Sequence, residues 1–183
     1  MSNVDQIIQE VIKVEGGYVD DPDDKGSVTN LGITIATLSE FLGRDATKDE
    51  VKELDVETAT QIYKQNFWDR YKADQLPEHL QHAYFDLLVN SGPRNAGRIL
   101  QKACVNRGTL EIGEVDGIVG PGTLAACENL TLDDLLVERA VFYANLVFDG
   151  SRYLERTNQD KFIRGWMKHR VFEFIRQDAR RQS

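Results

Sequence analysis

A polar, glycine-containing stretch from residue 15 to residue 34 interrupts a chain whose apolar residues otherwise recur mainly at helical spacing. The segment before this stretch places five apolar side chains on one helical face: Val4, Ile7, Ile8, Val11 and Ile12. Within the stretch, Pro22 and the neighbouring aspartates favour turns, and residues 28 to 33 favour a short strand or hairpin. The sequence therefore predicts a mainly α (α+β) fold with many helices and one small β-hairpin or loop segment near residues 18–34.

Glu15 stands at the end of the first predicted helix, directly before Gly16 and Gly17. Paired glycines let a chain leave a helix with positive φ, or let another molecule approach the backbone. The helix macrodipole places partial negative charge at this end, and packing against Tyr18 would add desolvation, so both effects favour a protonated glutamate. A protonated glutamate suits general-acid catalysis. The alternative is a surface glutamate at a helix end.

Several motifs occur in an order that resembles a known family. The run from Glu15 to Thr34 contains Glu-Gly-Gly-Tyr, Asp-Pro and Gly-Ile-Thr. It is similar to the N-terminal signature of glycoside hydrolase family 108, the peptidoglycan N-acetylmuramidases of phage endolysins and of muramidases that assist secretion. Residues 84–93 and 116–126 resemble the predicted peptidoglycan domain that accompanies this signature. The resemblance extends from about residue 5 to about residue 175 and implies a lysozyme-like fold.

The resemblance also implies the catalytic residues. Glycosidic cleavage needs a proton donor and, usually, a second carboxylate that activates water or attacks the sugar. Glu15 is the predicted donor, and Asp24, in a polar loop where it can stay ionised, is the predicted second carboxylate. Their spacing is similar to that of phage-type lysozymes, in which a later threonine holds the water. The spacing between aspartate and threonine in those enzymes, applied from Asp24, arrives at Asn30. The family-108 pattern instead favours Thr29, which is the third predicted catalytic residue.

Four residues are predicted to bind substrate, because aromatic faces, amides and hydroxyls hold sugars: Tyr18, Asn30, Asn90 and Ser91. For Tyr18 the alternative is a place in the core. For Asn90 and Ser91 the alternative is a helix C-cap. The turn that begins at Asp116 resembles a wall-binding motif, but it also suits a purely structural turn between two helices.

No metal or cofactor is predicted. Four acids lie close together in the sequence: Asp20, Asp21, Asp23 and Asp24. If this acidic cluster were read as a calcium-binding loop, Lys25 would stand at a ligand position and Gly32 would stand where the bidentate glutamate belongs. His79 and His82 share a predicted helix face, but no His-Glu-x-x-His motif accompanies them.

The charge distribution bears on partners. The formal net charge of −8 argues against a nucleic-acid partner. Residues 151–183 nevertheless hold 9 basic and 4 acidic residues, so this C-terminal helix is a candidate for peripheral contact with the anionic wall or membrane, or a solvated helix face. The predicted ligand is the peptidoglycan glycan strand, and the predicted state is a monomer. Cys104 and Cys127 are predicted to be buried free thiols.

The sequence predicts two parts, a muramidase half (1–88) and a helical half resembling the peptidoglycan domain (89–183), in one body with the substrate cleft between them. A nearly all-apolar helix from about residue 131 is predicted to be the buried centre of the second half. With no recognisable signal peptide at the start, the protein is expected to be made in the cytoplasm and to reach the periplasmic wall by holin-type or other release.

These observations favour a muramidase that hydrolyses the β-1,4 bond between N-acetylmuramic acid and N-acetylglucosamine. A lytic transglycosylase is the alternative within the enzyme class, since it needs only the acid/base glutamate. The alternative outside the enzyme class is a non-catalytic wall-binding secretion helper.

Overall fold

The structure is a computed structural model that describes residues 3–15, 17–20, 28–147 and 165–176. These residues are mainly helical and include a two-stranded antiparallel sheet, which confirms the predicted fold class. The chain divides into two compact units, Met1–Tyr71 and Lys72–Ser183. None of the described helices is long and apolar enough to cross a membrane.

The first unit begins with a helix, which is followed by a two-stranded hairpin and by three further helices. Strand residues Thr29 and Asn30 pair with Thr34 and Ile33, respectively. The two residues between the strands, Leu31 and Gly32, have positive φ angles of 53° and 76°, as a tight two-residue hairpin requires. The bounds are α1 (Asn3–Glu15), β1 (Thr29–Asn30), β2 (Ile33–Thr34), α2 (Ile35–Leu42), α3 (Lys48–Lys52) and α4 (Val56–Tyr63), which continues as a π-helical segment (Lys64–Asp69).

Side-chain caps explain where three of these helices begin. The Thr34 side chain accepts a hydrogen bond from the Thr37 amide at the start of α2. The Asp55 side chain accepts one from the Thr58 amide at the start of α4. Thr47 and Glu50 form a reciprocal capping box at α3, as the spacing Thr-x-x-Glu predicts. α1 packs against α4, and its predicted apolar face is buried at Ile7, Ile8, Val11 and Ile12.

The second unit is built around helix α5 (Glu78–Ser91). Every residue from Ala83 to Leu88 is buried, and α5 packs against both α6 (Pro93–Arg107) and α8 (Leu132–Val147). The prediction that α8 is the buried centre is wrong, because Val137 is 59% exposed and Val141 is 46% exposed. The helices are α5 (Glu78–Ser91), α6 (Pro93–Arg107), α7 (Pro121–Ala126), α8 (Leu132–Val147) and α9 (165–176), with short 3-10 segments at Ala73–Gln75 and Ile112–Glu114.

Candidate active site

Helix α1 ends at Glu15, the position at which the sequence predicts that it ends. Four residues later, Val19 forms an antiparallel bridge with Thr29. Val19 N donates to Thr29 O at 2.8 Å, and Thr29 N donates to Val19 O at 2.9 Å. Paired residues in such a ladder lie about 4.5–5.5 Å apart at Cα, so Thr29 is held beside the segment that follows Glu15. The Glu15 side chain and Asp24 lie outside the described residues, and the predicted carboxylate pair stays a prediction.

Asn30 anchors the hairpin to the end of α3. Its Nδ2 donates to Val51 O at 3.0 Å and to Lys52 O at 3.1 Å, and the residue is buried. The two bonds satisfy both amide hydrogens and also two carbonyls near a helix C-terminus. Any substrate contact made by this side chain would therefore use Oδ1. Anchoring accounts for a polar residue at this position, and its role in substrate binding stays a prediction.

Tyr18 is 37% exposed, so it lies on the surface and not in the core. Its hydroxyl donates to Asp20 Oδ2 at 3.5 Å, and Lys48 Nζ donates to both oxygens of Asp20 at 3.1 Å. Desolvation and the negative charge of Asp20 raise the pKa of Tyr18, so the phenol stays neutral. Tyr18 thus contacts solvent three residues after Glu15, and its role in substrate binding stays a prediction.

Asn90 and Ser91 lie in the last turn of α5, in the second unit. Asn90 Oδ1 accepts a hydrogen bond from Tyr143 Oη at 2.7 Å and one from Ser91 Oγ at 3.4 Å. Burial raises the pKa of Tyr143, an effect stronger than the opposing influence of Arg139, so the phenol remains a donor. Gly92 is the C-cap of α5. The Asn90 carboxamide is thus oriented from α8.

A buried charge cluster, Asp86 with Arg139 and Arg170, supports this arrangement. Arg139 Nη2 donates to Asp86 Oδ2, and Arg170 Nη1 donates to Oδ1 at 2.7 Å. Arg139 Nε also donates to the Tyr143 hydroxyl at 3.0 Å. Burial alone would raise the pKa of Asp86, but the two arginines outweigh it and hold the pKa below its usual range. An ionised Asp86 therefore links α5 to α8 and α9.

Sequence reasoning missed this cluster, although a signal for it exists. Arg139 is fully buried in a helix whose neighbouring residues are mostly apolar, and a buried arginine needs a partner. Asp86 and Asn90 both lie within the Tyr84–Pro93 motif, four residues apart, so they share a helix face. The motif thus contains the partners of Arg139 and Tyr143.

The turn that begins at Asp116 is held by Gln101 of α6. Gln101 Nε2 donates to Asp116 Oδ1 at 2.9 Å, and Gly117 N donates to Gln101 Oε1 at 2.7 Å. The turn also approaches the backbone of α6 closely, since a Cβ built on Gly97 would lie 2.3 Å from Gly117 O. These contacts support the structural alternative for this motif, a turn fixed between two helices.

Two groups of residues bear on metal binding, the histidines of α5 and the acidic cluster. His79 Nε2 lies 2.8 Å from Leu130 O and is engaged there. Within the described ranges, no three His, Cys, Asp or Glu side chains form a group that could hold a metal ion. Of the predicted acidic cluster, Asp20 is paired with Lys48, while Asp21, Asp23 and Asp24 lie outside the described residues.

Comparisons with known proteins agree with the fold. A family model described as Glycosyl hydrolase 108 matches residues 8–92, and one described as Predicted Peptidoglycan domain matches residues 95–171. A solved structure entitled "Structure of Brucella abortus SagA" is 35% identical, with a TM-score of 0.71, and the match covers 96% of this chain and 94% of that chain. No curated protein matches the chain.

A lysozyme-like set of helices with a small hairpin, followed by a peptidoglycan domain, defines a peptidoglycan-degrading glycosidase. The chain belongs to the glycosyl hydrolase 108 family. Its boundary between the two family models falls at residues 92 to 95, whereas the two compact units meet at Tyr71 and Lys72. The sequence boundary predicted at residue 88 lies within α5.

Proposed function

We propose that the chain is an N-acetylmuramidase that hydrolyses the β-1,4 bond between N-acetylmuramic acid and N-acetylglucosamine. The observation that supports this activity best is the end of α1 at Glu15, followed by the Val19–Thr29 bridge, within a region that matches a glycoside hydrolase family. This segment carries the residues to which the resemblance assigns the chemistry.

In the proposed reaction, Glu15 gives its proton to the glycosidic oxygen as the bond to the anomeric carbon breaks. Asp24 is ionised at the start and acts in one of two ways: it accepts a proton from the water that attacks the anomeric carbon, or it attacks this carbon itself, after which water releases the sugar and gives a proton to Glu15. Thr29 holds the water from the strand beside the Glu15 segment. The water oxygen ends on muramic acid, which leaves a reducing end, and the proton ends on the released N-acetylglucosamine hydroxyl. No cofactor takes part in this scheme.

The test is Glu15→Gln, assayed by release of soluble fragments from purified peptidoglycan. Loss of a general acid typically costs about 10²–10⁴-fold in rate, so clearing should fall by at least about 100-fold. Glu57→Gln is the matched control, because it removes the same charge from an exposed position in the same unit and should leave the rate within about twofold. Undiminished clearing by Glu15→Gln would contradict the catalytic assignment.

Product analysis separates hydrolysis from its nearest rival. Mass spectrometry of the fragments should show muramic acid with reducing ends. Anhydro-muramic ends in their place would identify a lytic transglycosylase, for which Asp24 is not required. Asp24→Asn tests the same point from the enzyme side: a loss comparable to that of Glu15→Gln supports hydrolysis with two carboxylates. Binding to peptidoglycan without any fragment release would indicate the wall-binding helper.

We further propose an endolysin-type role, in which a monomer degrades the wall once it reaches the periplasm. The support is the resemblance of the residue 15–34 signature to that of phage endolysins. Bacteria that express the protein together with a pore-forming holin should lyse, whereas bacteria that express the protein alone should not. Lysis without the holin would contradict the proposed route of release.

A further inference from the structure

Two buried cysteines meet in the second unit. Cys104 lies in α6, and Cys127 is the C-cap residue of α7. Their sulfur atoms are 3.5 Å apart, neither side chain is exposed, and both are free thiols. These are the two cysteines of the chain, so each has the other as its sole partner for an intramolecular disulfide.

Thr109 holds the backbones of the two cysteine segments together. Its Oγ1 lies 3.2 Å from Cys104 O and 2.9 Å from Ala126 O, the carbonyl directly before Cys127. Thr109 N also donates to Cys104 O at 2.9 Å. A disulfide forms only where the two backbones already lie at a suitable separation. The Thr109 contacts hold the two segments next to each other independently of the sulfur atoms.

Closing the bond requires little movement. The S–S bond length is about 2.05 Å, so the sulfur atoms must approach by roughly 1.5 Å. Cys104 lies within a 15-residue helix, whereas Cys127 follows a six-residue helix and precedes a turn. The shift therefore falls on the Cys127 side, where the shorter element can adjust.

We propose that Cys104 and Cys127 form a disulfide in an oxidising compartment and remain thiols in a reducing one. The oxidant is a second disulfide, of a small molecule or a protein, that exchanges with the pair. One cysteine attacks it and releases one thiol, and the other cysteine then attacks the mixed disulfide and releases the second thiol. Two protein thiols are oxidised to one S–S bond, and one external disulfide is reduced to two thiols.

The bond would fasten the segment that carries the Asp116 turn. The cysteines are 23 positions apart, and the residues between them include Gly117, which packs against α6. Gln101 and Thr109 already tie this segment to its surroundings by hydrogen bonds. A covalent link restricts the unfolded chain as well and so raises stability beyond what these hydrogen bonds provide.

Burial controls how fast the exchange proceeds. The neighbouring Cys104 sulfur and burial both raise the pKa of the Cys127 thiol, so this thiol stays protonated in the closed fold. The hydrogen bond with Cys127 lowers the pKa of the Cys104 thiol, so Cys104 supplies the attacking thiolate. Because both sulfur atoms are buried, the external disulfide reaches Cys104 only after local opening of the α7 segment. We expect slow oxidation of the folded protein and rapid oxidation during refolding.

The experiment uses the full chain refolded in glutathione buffers of increasing oxidised fraction. Thiol titration under denaturing conditions should fall from two free thiols to none, and the monomer should lose the mass of two hydrogen atoms. The melting temperature should rise by roughly 5–10 °C on oxidation, whereas a matched Cys104→Ala, Cys127→Ala double variant should melt at one temperature in every buffer.

Two results would overturn the proposal. The first is persistence of both thiols in the most oxidising buffer after refolding. The second is appearance of a disulfide-linked dimer as the main oxidised product. Since the wild-type protein is compared with itself in two redox states, a variant that fails to fold would not prevent either conclusion.

Discussion

The two units of the chain use charged side chains in opposite settings. In the first unit, Glu50 forms two hydrogen bonds with Arg44, the shorter at 2.6 Å, and closes the capping box at Thr47, all near the surface. In the second unit, Asp86 is 3% exposed and binds two buried arginines. Both carboxylates therefore have strong partners, but only one of them is removed from water.

The difference teaches that burial, more than the number of bonds, decides what a charge contributes. Water solvates an exposed carboxylate well when its partner is lost, so an exposed ion pair contributes little. A buried pair that loses one member leaves an uncompensated charge, which is strongly destabilising. Substitutions of Asp86 and Glu50 test this contrast at its two extremes, and substitutions of two neutral amides, Gln101 and Asn30, should fall between them.

Asp86→Asn should give the largest loss of stability. It keeps the shape of the side chain but leaves Arg139 and Arg170 without their counter-charge, and breaking a buried pair costs about 3–5 kcal/mol. Denaturant unfolding of the full chain measures the loss. Asp133→Asn is the matched control on an exposed position of the same unit and should change stability by less than about 0.5 kcal/mol. Equal losses for the two variants would remove the distinction by burial.

Gln101→Ala should give the next largest loss. The variant leaves Gly117 N, Thr123 Oγ1 and Ile118 O without the partner that Gln101 supplies. Unsatisfied buried groups cost about 1–3 kcal/mol each, and partial rehydration of the turn should limit the total to about 2–3 kcal/mol. Gln61→Ala, on an exposed helical position, is the control for the change of residue. A loss below about 1 kcal/mol would show that the Asp116 turn holds its shape without Gln101.

Asn30→Ala should lower the free energy of unfolding by about 1–2 kcal/mol, because it removes two hydrogen bonds to the end of α3.

Thr29→Val should lower the free energy of unfolding less than Asn30→Ala and lower the activity more, if Thr29 holds the attacking water. Measured together, unfolding free energy and rate on peptidoglycan separate the two neighbours. A stable Asn30→Ala with a strongly raised KM would instead support Asn30 as a substrate-binding residue and contradict its role as an anchor.

The residues that sequence reasoning located correctly are those fixed by local signals. Apolar spacing and a glycine pair located the end of α1 at Glu15, and Thr-x-x-Glu spacing located the start of α3. The pairing of Asp86 with its arginines is not predicted, because Arg139 is 53 positions from Asp86 and Arg170 is 84 positions from it. No local sequence pattern indicates a pairing over such a separation. The prediction for the centre of the second unit is wrong, because apolar periodicity does not show which of two apolar helices is more deeply buried. Helix α5, and not α8, is buried on most sides.

Glu50→Gln should give the smallest effect, and its pH dependence identifies the cause. The hydrogen bonds from Arg44 and Thr47 lower the pKa of Glu50 from 4.5 to about 2. A lowered pKa means that the stabilising contribution is complete above the unfolded value and is lost as the pH falls from about 4.5 towards 2. Glutamine keeps one acceptor oxygen for the capping box, and it removes the charge together with the second oxygen that accepts from Arg44. The stability difference between wild type and Glu50→Gln should therefore shrink over this pH range.

Salt gives a second test of the same contrast. The stability difference between wild type and Glu50→Gln should also shrink in 1 M salt, where the screening length is about 3 Å. The deficit of Asp86→Asn, measured near neutral pH in the same salt, should persist. If salt reduced both deficits equally, screening would reach Asp86 as readily as Glu50, and the contrast between the two units would fail.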